Sequence, residues 1–290
     1  MKNQNNENEE INKKDFVNTD NTIESFATKV SENLDWQNEI KSNSEVEGNP
    51  KICGFNFEKA NDKNGAFRFD DFLKSFATTG FQATNLSEAI EISKVMQREK
   101  ATIFLGYTSN MVSSGNRELI KYLVKHKKVD VLVTSAGGIE EDIIKCLKHF
   151  VLGKFNVPGR ILFEKGINRT GNIFVPNDRY AYFDQFMRTF FEELYRKQKE
   201  EGIIWCPQTL IRELGLTIRD EESILYHAAK NNIPVFCPGI IDGSIGDLVL
   251  FFKQRHPDFI IDVAQEMQNI VKIVFACEKS AAIILGGGIS

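Results

Sequence analysis

The sequence predicts an α/β protein: a Rossmann-like, doubly wound parallel sheet with helices on both faces, preceded by an N-terminal helical extension. Three observations predict it. From Ala101 onward, short apolar runs alternate with loops and with helical periodicity, the pattern of a parallel sheet covered on both faces. The run Val131-Leu-Val-Thr-Ser-Ala-Gly-Gly-Ile-Glu-Glu-Asp142 carries a β-branched stretch into two glycines and then into carboxylates at the start of a helix. Small polar residues and glycines also recur after strands, at Thr108–Gly115, Asp242–Asp247 and Gly286–Gly288. Right-handed crossovers place all four loops on one rim, outside the carboxyl ends of the strands, where such sheets bind ligands.

The elements follow in order. Residues 1–20 are rich in Asn, Glu and Lys and are expected to be disordered. Ile23, Phe26, Val30 and Leu34 carry helical spacing, so residues 21–48 read as an amphipathic helix followed by a polar linker. The folded body starts near Ile52, which divides the chain into a tail and extension (1–48) and one α/β domain (49–290). It takes in Phe67–Phe76 and a helix over Leu86–Arg98, with Asn85 as its cap. Thr102–Tyr107 is a strand, Asn116–Lys125 a helix and Val129–Val133 a strand. A glycine loop and a helix over Glu140–Lys148 come next. Residues 154–177, which include Gly166-Ile-Asn-Arg-Thr-Gly-Asn172, read as irregular. Tyr182–Glu201 is a long helix with Phe183, Phe186, Phe190 and Leu194 on one face, a core stripe. Helix over Glu221–Asn231, strand over Ile233–Phe236, helices over Leu248–Lys253 and Phe259–Val271, and strand over Ile283–Leu285 complete the body.

Composition narrows the function classes. A net charge of −4, from 36 basic and 40 acidic residues among 290, is too mild to imply nucleic-acid or membrane binding by bulk electrostatics. Cys53, Cys146, Cys206, Cys237 and Cys277 form no CxxC pair, which argues against a zinc site or a disulfide framework. No metal motif, signal peptide or membrane span is visible, so a reduced cytoplasmic setting is expected.

The strand-end residues carry the chemistry. Ser109, Asn110 and Ser113 offer hydroxyls and an amide to a phosphate or ribose, although the same residue types cap helices. Gly137-Gly138 permits close backbone approach, or a tight turn. A strand delivering a glycine turn to a helix N-terminus is the geometry of a nucleotide site. Glu140, Glu141, Asp242 and Asp247 converge on the same rim. Acids repel phosphates, so they point to a second, cationic ligand such as a polyamine, held by charge-assisted hydrogen bonds. A sirtuin-type deacylase would need zinc-binding cysteines, and a plain dehydrogenase leaves the four acids unexplained.

Six segments carry a family resemblance: Phe76-Ala-Thr-Thr-Gly-Phe-Gln-Ala-Thr-Asn85, Thr102-Ile-Phe-Leu-Gly-Tyr-Thr-Ser-Asn110, Val131–Asp142, Gly166–Asn172, Asp242–Asp247 and Ile284-Leu-Gly-Gly-Gly288. In this order they resemble deoxyhypusine synthase from about Gly54 to the last residue. The resemblance implies an NAD-dependent transferase of hypusine biosynthesis. It would move the butylamine portion of spermidine, through an imine on an enzyme lysine, to one lysine of the translation initiation factor 5A precursor. It implies a cytoplasmic homotetramer with active sites between subunits. It places Ser109, Asn110, Met111, Val112, Ser113, Ser135, Ala136, Gly137, Glu141, Asp242 and Gly287 around NAD, with Ser135 standing where the family more usually has threonine. Glu140, Glu141 and Asp247 would face the spermidine amines. The family's Trp-Gly-Lys segment with the nucleophilic lysine does not occur in these 290 residues, so no catalytic residue is assigned. The NAD-binding domain reads as incomplete at its C-terminal end, leaving an edge strand at Ile283–Leu285, and the chain alone is expected to be inactive or severely impaired. An alternative reading is a truncated, non-catalytic partner subunit in a hetero-oligomer with a full-length paralogue.

Overall fold

The computed structural model describes residues 49–287. The N-terminal tail and its amphipathic helix, and Gly288, lie outside the described residues. The chain divides into two compact units, residues 1–88 and 89–290.

The described part of the first unit is built on aromatic contact rather than on burial. Phe55, Phe57, Phe67, Phe72 and Phe76 meet with ring centroids 5.1–5.9 Å apart. Cys53 is tied to Thr78 by its N–H on the Thr78 carbonyl at 2.9 Å, and the Thr78 hydroxyl donates back at 2.8 Å. Two short helices, α1 (Phe69–Lys74) and α2 (Phe76–Thr79), precede α3 (Phe81–Arg98), which crosses the division.

The second unit holds the sheet. Strand β1 (Thr102–Tyr107) leads to α4 (Ser109–Ser113) and α5 (Asn116–Lys125). Strand β2 (Val131–Thr134) leads to α6 (Ala136–Leu147). After an antiparallel excursion come the long α8 (Asp178–Glu201), α9 (Pro207–Ile218) and α10 (Ile224–Asn231). Strand β6 (Val235–Phe236) feeds α11 (Ser244–Arg255), and α12 (Val263–Ala276) precedes β7 (Ser280–Leu285). The four long-range strands are all parallel, in the order β6-β2-β1-β7. The chain builds outward from β1 through β2 to β6 and then returns to the other side of β1. The β1/β7 junction is therefore the topological switch point, the place where ligands bind in open parallel sheets. Leu105, Leu132, Ile139, Ile143, Phe183, Met187 and Phe191 form the centre of one core. The alternation seen in the sequence is thus a Rossmann-like parallel sheet flanked by helices. Within the described residues β7 is an edge strand, with Ile284 exposed.

Three local expectations are corrected. Gly137 and Gly138 are not a loop: they are residues 2 and 3 of helix α6, which starts at Ala136. Residues 154–177 are not irregular. They hold α7 (Gly159–Glu164) and two strands, β4 (Ile167–Thr170) and β5 (Ile173–Pro176), of an antiparallel sheet completed by β3 (Val151–Leu152). Thr170 pairs with Ile173 across a two-residue Gly171-Asn172 turn with Gly171 at φ +59°, a geometry that favours glycine. Helix α9 was not anticipated, although Pro207 at its first position and Leu210, Ile211 and Leu214 on its buried face announce it.

Candidate functional site

The site is assembled by three strand-to-helix junctions. At the first, Thr108 leaves β1 with its N–H on the Leu285 carbonyl, 3.3 Å away, and α4 begins. At the second, Ser135 leaves β2 in an extended conformation and α6 begins. At the third, Gly243 precedes α11. None of these three N-cap residues caps its helix with its own side chain. First-turn N–H groups have no partner within a helix, and together with the helix dipole they attract anions.

Glycine is needed here for proximity, not for a turn. A Cβ on Gly137 would lie 2.7 Å from Ser109 Cβ, and one on Gly138 would overlap Thr134 Oγ1. That hydroxyl is fully buried and donates to the Tyr107 carbonyl at 2.7 Å. Two side chains' worth of space are removed so that α6 can settle against α4 and the end of β2. Gly286, at φ +96°, does the same at β7, where a Cβ would meet Thr108 Oγ1 at 2.6 Å. Gly287 follows, exposed, at the switch point.

The residues expected around a cofactor divide into two groups. Ser109 is partly exposed and Asn110 exposed, its side chain bonded to Thr108 Oγ1. Met111 is half-buried. Val112, Ser113 and Ala136 are buried, and the Val112 and Ala136 side chains belong to the hydrophobic core. What Ala136 presents to the crevice is its backbone.

The acids are brought to one rim, each in a different state. Glu140 is buried, and its Oε1 accepts the Ile245 N–H at 2.7 Å. It therefore caps α11, the helix that starts beside Asp242. Burial raises its pKa, and Asp247 raises it further. Glu141 turns to α4 and bonds the Ser113 hydroxyl. Burial, aided by Glu140, pushes its pKa up to about 7. Asp242 and Asp247 are exposed. The phenol of Tyr180, in the first turn of α8, has its pKa raised by burial and by Glu141 and Glu140. Tyr180 lies before the helix expected from Tyr182, and nothing in the sequence singles it out; the helix in fact begins at Asp178.

Asp142 plays another role. It is fully buried, accepts from Arg117 Nε at 2.8 Å, from Ser223 Oγ at 2.6 Å and from the Ile224 and Leu225 N–H groups at 3.1 Å. It ties α5 and the N-terminus of α10 to α6. Glu266 is a second buried acid. One oxygen accepts the Cys237 N–H at 2.6 Å, while the other is buried with no hydrogen-bond partner. Burial pushes its pKa up to about 7. It anchors the segment from β6 toward Asp242. Among the described residues no group of His, Cys, Asp and Glu side chains is arranged to hold a metal ion, and no helix is long and apolar enough to cross a membrane. A 620 Å³ groove between α8 and α9, lined by Tyr182, Phe186 and Phe190, lies on other residues.

A parallel sheet with helix N-termini, small residues and acids along the rim of its strand ends defines a Rossmann-like protein with a ligand crevice at that rim. The comparisons carry this further. The sequence model of the deoxyhypusine synthase family matches residues 71–290. The chain is 49% identical over 230 residues to a "Probable deoxyhypusine synthase" of Methanocaldococcus jannaschii, covering 74% of this chain and 70% of that protein. It is 42% identical over 277 residues to deoxyhypusine synthase of Senecio vernalis, covering 86% of this chain and 73% of the relative. A crystal structure of an Entamoeba histolytica protein assigned as a deoxyhypusine synthase superposes with a TM-score of 0.63 at 29% identity, over 82% of this chain and 83% of that one. The chain belongs to the deoxyhypusine synthase family, whose members are aminobutyl transferases.

Proposed function

We propose that this protein supplies the NAD and spermidine site for transfer of the butylamine portion of spermidine to a lysine of the translation initiation factor 5A precursor, as a cytoplasmic homotetramer; the lysine that would carry the imine is not among these 290 residues. The observation that supports it is the α6 N-terminus, without a side-chain cap, on the same strand-end rim as the four acids that follow β2 and β6. The residues fit a dinucleotide. The Ala136 and Gly137 backbone offers N–H donors to a pyrophosphate, and the bare Gly137 lets the ligand approach. Ser109, Asn110 and Ser135 offer polar groups beside it, and Met111 and Gly287 frame it, while Val112 and Ser113 are buried behind them.

The acids do not defeat anion binding. Glu140 spends one oxygen on the α11 N-terminus, and Glu141 is half-protonated near neutrality. Asp242 is placed to hold the cofactor. When bound, NAD would supply the hydride acceptor for oxidation of spermidine. The chain's own residues orient the polyamine: Asp247 holds a protonated amine by charge-assisted hydrogen bonding, with Glu140 buried behind it and bonded to the start of α11. Glu141, poised near pH 7, accepts or returns a proton at a spermidine nitrogen.

The test is direct. The full chain is titrated with NAD and with spermidine. NAD binding that saturates and is strengthened by spermidine is expected. Asp247→Asn should weaken spermidine by about tenfold with little change for NAD, and Gly137→Val should abolish NAD binding. A chain that binds neither ligand overturns the proposal.

A further inference from the structure

Helix α4 carries much of the site, yet five residues cannot hold a helix in isolation. Its terminal carbonyls need partners from elsewhere. They find one in Lys145, on the second half of α6. The half-buried Lys145 ammonium donates to the carbonyls of Val112 at 2.8 Å, Ser113 at 3.1 Å and Ser114 at 3.2 Å. An ammonium has three N–H donors, and all three are engaged at one helix end, where a cation is also favoured by the dipole. The same Nζ lies 5.8 Å from the Phe150 ring centroid. One turn earlier on α6 stands Glu141, whose carboxyl bonds the Ser113 hydroxyl. Glu141 and Lys145 thus hold the same short helix, in the Glu-before-Lys order that suits an i,i+4 pair.

We infer that Lys145 is a positioning residue of this site: its ammonium clamps the end of α4 onto α6 and supplies the positive charge that balances Glu141. The inference rests on the proposed function only for the identity of the ligand. Several charged groups face this pair. Glu140 and Asp142 lie on α6, Arg117 and Glu118 on α5, and Tyr180 approaches from α8. Lys145 acts on Glu141 against the effects of burial and of Glu140. Without its charge, Glu141 should hold its proton to higher pH, and the cofactor residues of α4 should lose their fixed placement.

Two ligand-free measurements on the full chain test this. Hydrogen exchange is followed across residues 108–116, and the Glu141 carboxyl is titrated by NMR, its signal assigned through Glu141→Gln. Lys145→Met should speed exchange in that segment about tenfold and raise the proton affinity of Glu141 about tenfold, with the core segments unchanged. NAD, used as the probe, should then bind about tenfold more weakly. Lys145→Arg, which keeps charge and donors, should return both readings toward wild type. Should Lys145→Met fail to fold, Lys145→Gln keeps two donors without the charge and should still shift the Glu141 titration. Unchanged exchange and titration in either variant overturn the inference. Faster exchange with an unshifted Glu141 overturns the charge role and leaves a structural clamp. A wild-type chain that binds no NAD defeats the functional reading instead, while the two ligand-free measurements still decide on Lys145.

Discussion

Glu140, Glu141 and Asp142 are consecutive, and successive residues on an α-helix point about 100° apart. Each therefore serves a different neighbour: Glu140 caps α11, Glu141 holds α4, and Asp142 joins α5 to α10. Along the chain the three look alike, and only the fold separates their contacts. Arg117 and Asp142 form a buried ion pair, with side chains 5% and 0% exposed. Removing one partner of such a pair strands a buried charge. Asp142→Ala is therefore expected to cost about 3–5 kcal/mol, measured as a loss in urea unfolding free energy. A loss below about 1 kcal/mol would mean that the pair behaves as a surface bridge. Cys146, in the same cluster with Sγ 3.0 Å from Arg117 Nη2, has its thiol pushed up to about 12 by burial and by Asp142, so it should resist alkylation at neutral pH.

The elements with strong periodicity were legible from sequence alone. Strand β1 over Thr102–Tyr107 and helix α5 over Asn116–Lys125 have the anticipated bounds. β3, β4 and β5 were not, because they are short and mostly outside the core, whereas the equally short β2 and β6 lie in buried apolar runs that stand out in the sequence. The glycine pair misled for another reason. Glycine reads as a turn residue, whereas Gly138 is there to let α6 approach the end of β2. On helix propensity alone, Gly138→Ala should gain about 1 kcal/mol. Overlap with the buried Thr134 hydroxyl costs about 1–3 kcal/mol. The substitution is expected to lower the thermal midpoint and to weaken NAD binding, and a rise in midpoint would show that α6 can shift to make room. Trp205 is buried, with its indole N–H on the Leu194 carbonyl within α8 at 2.9 Å.

At the scale of the whole molecule, the half-buried Glu141 and the buried Glu266 set the response to pH. Glu141 and Glu266 have pKa values near 7 in the folded chain against 4.5 for the free side chain. The native state holds their protons where the unfolded state has released them, so stability falls as pH rises between these values. Their contribution is complete below pH 4.5 and lost as pH passes 7, on the order of 1–3 kcal/mol each. The thermal midpoint should therefore drop from pH 5 to pH 8. Glu266→Gln and Glu141→Gln should each flatten the drop, and a midpoint that rises over this range would contradict the burial assigned to them.

The amino-acid sequence by itself determined the α/β class, the main strand and helix order, and the family, because apolar periodicity and motif order are properties of the chain. It also brought the candidate acids and glycines to the strand ends, since parallel topology puts every such loop on one rim. Only the tertiary structure decided what each of these residues does. Burial made Glu140 a cap and Asp142 a hub, placed Lys145 under α4 and turned a glycine loop into a helix start. Those outcomes depend on which atoms lie within about 3 Å, and residues far apart in sequence supply them.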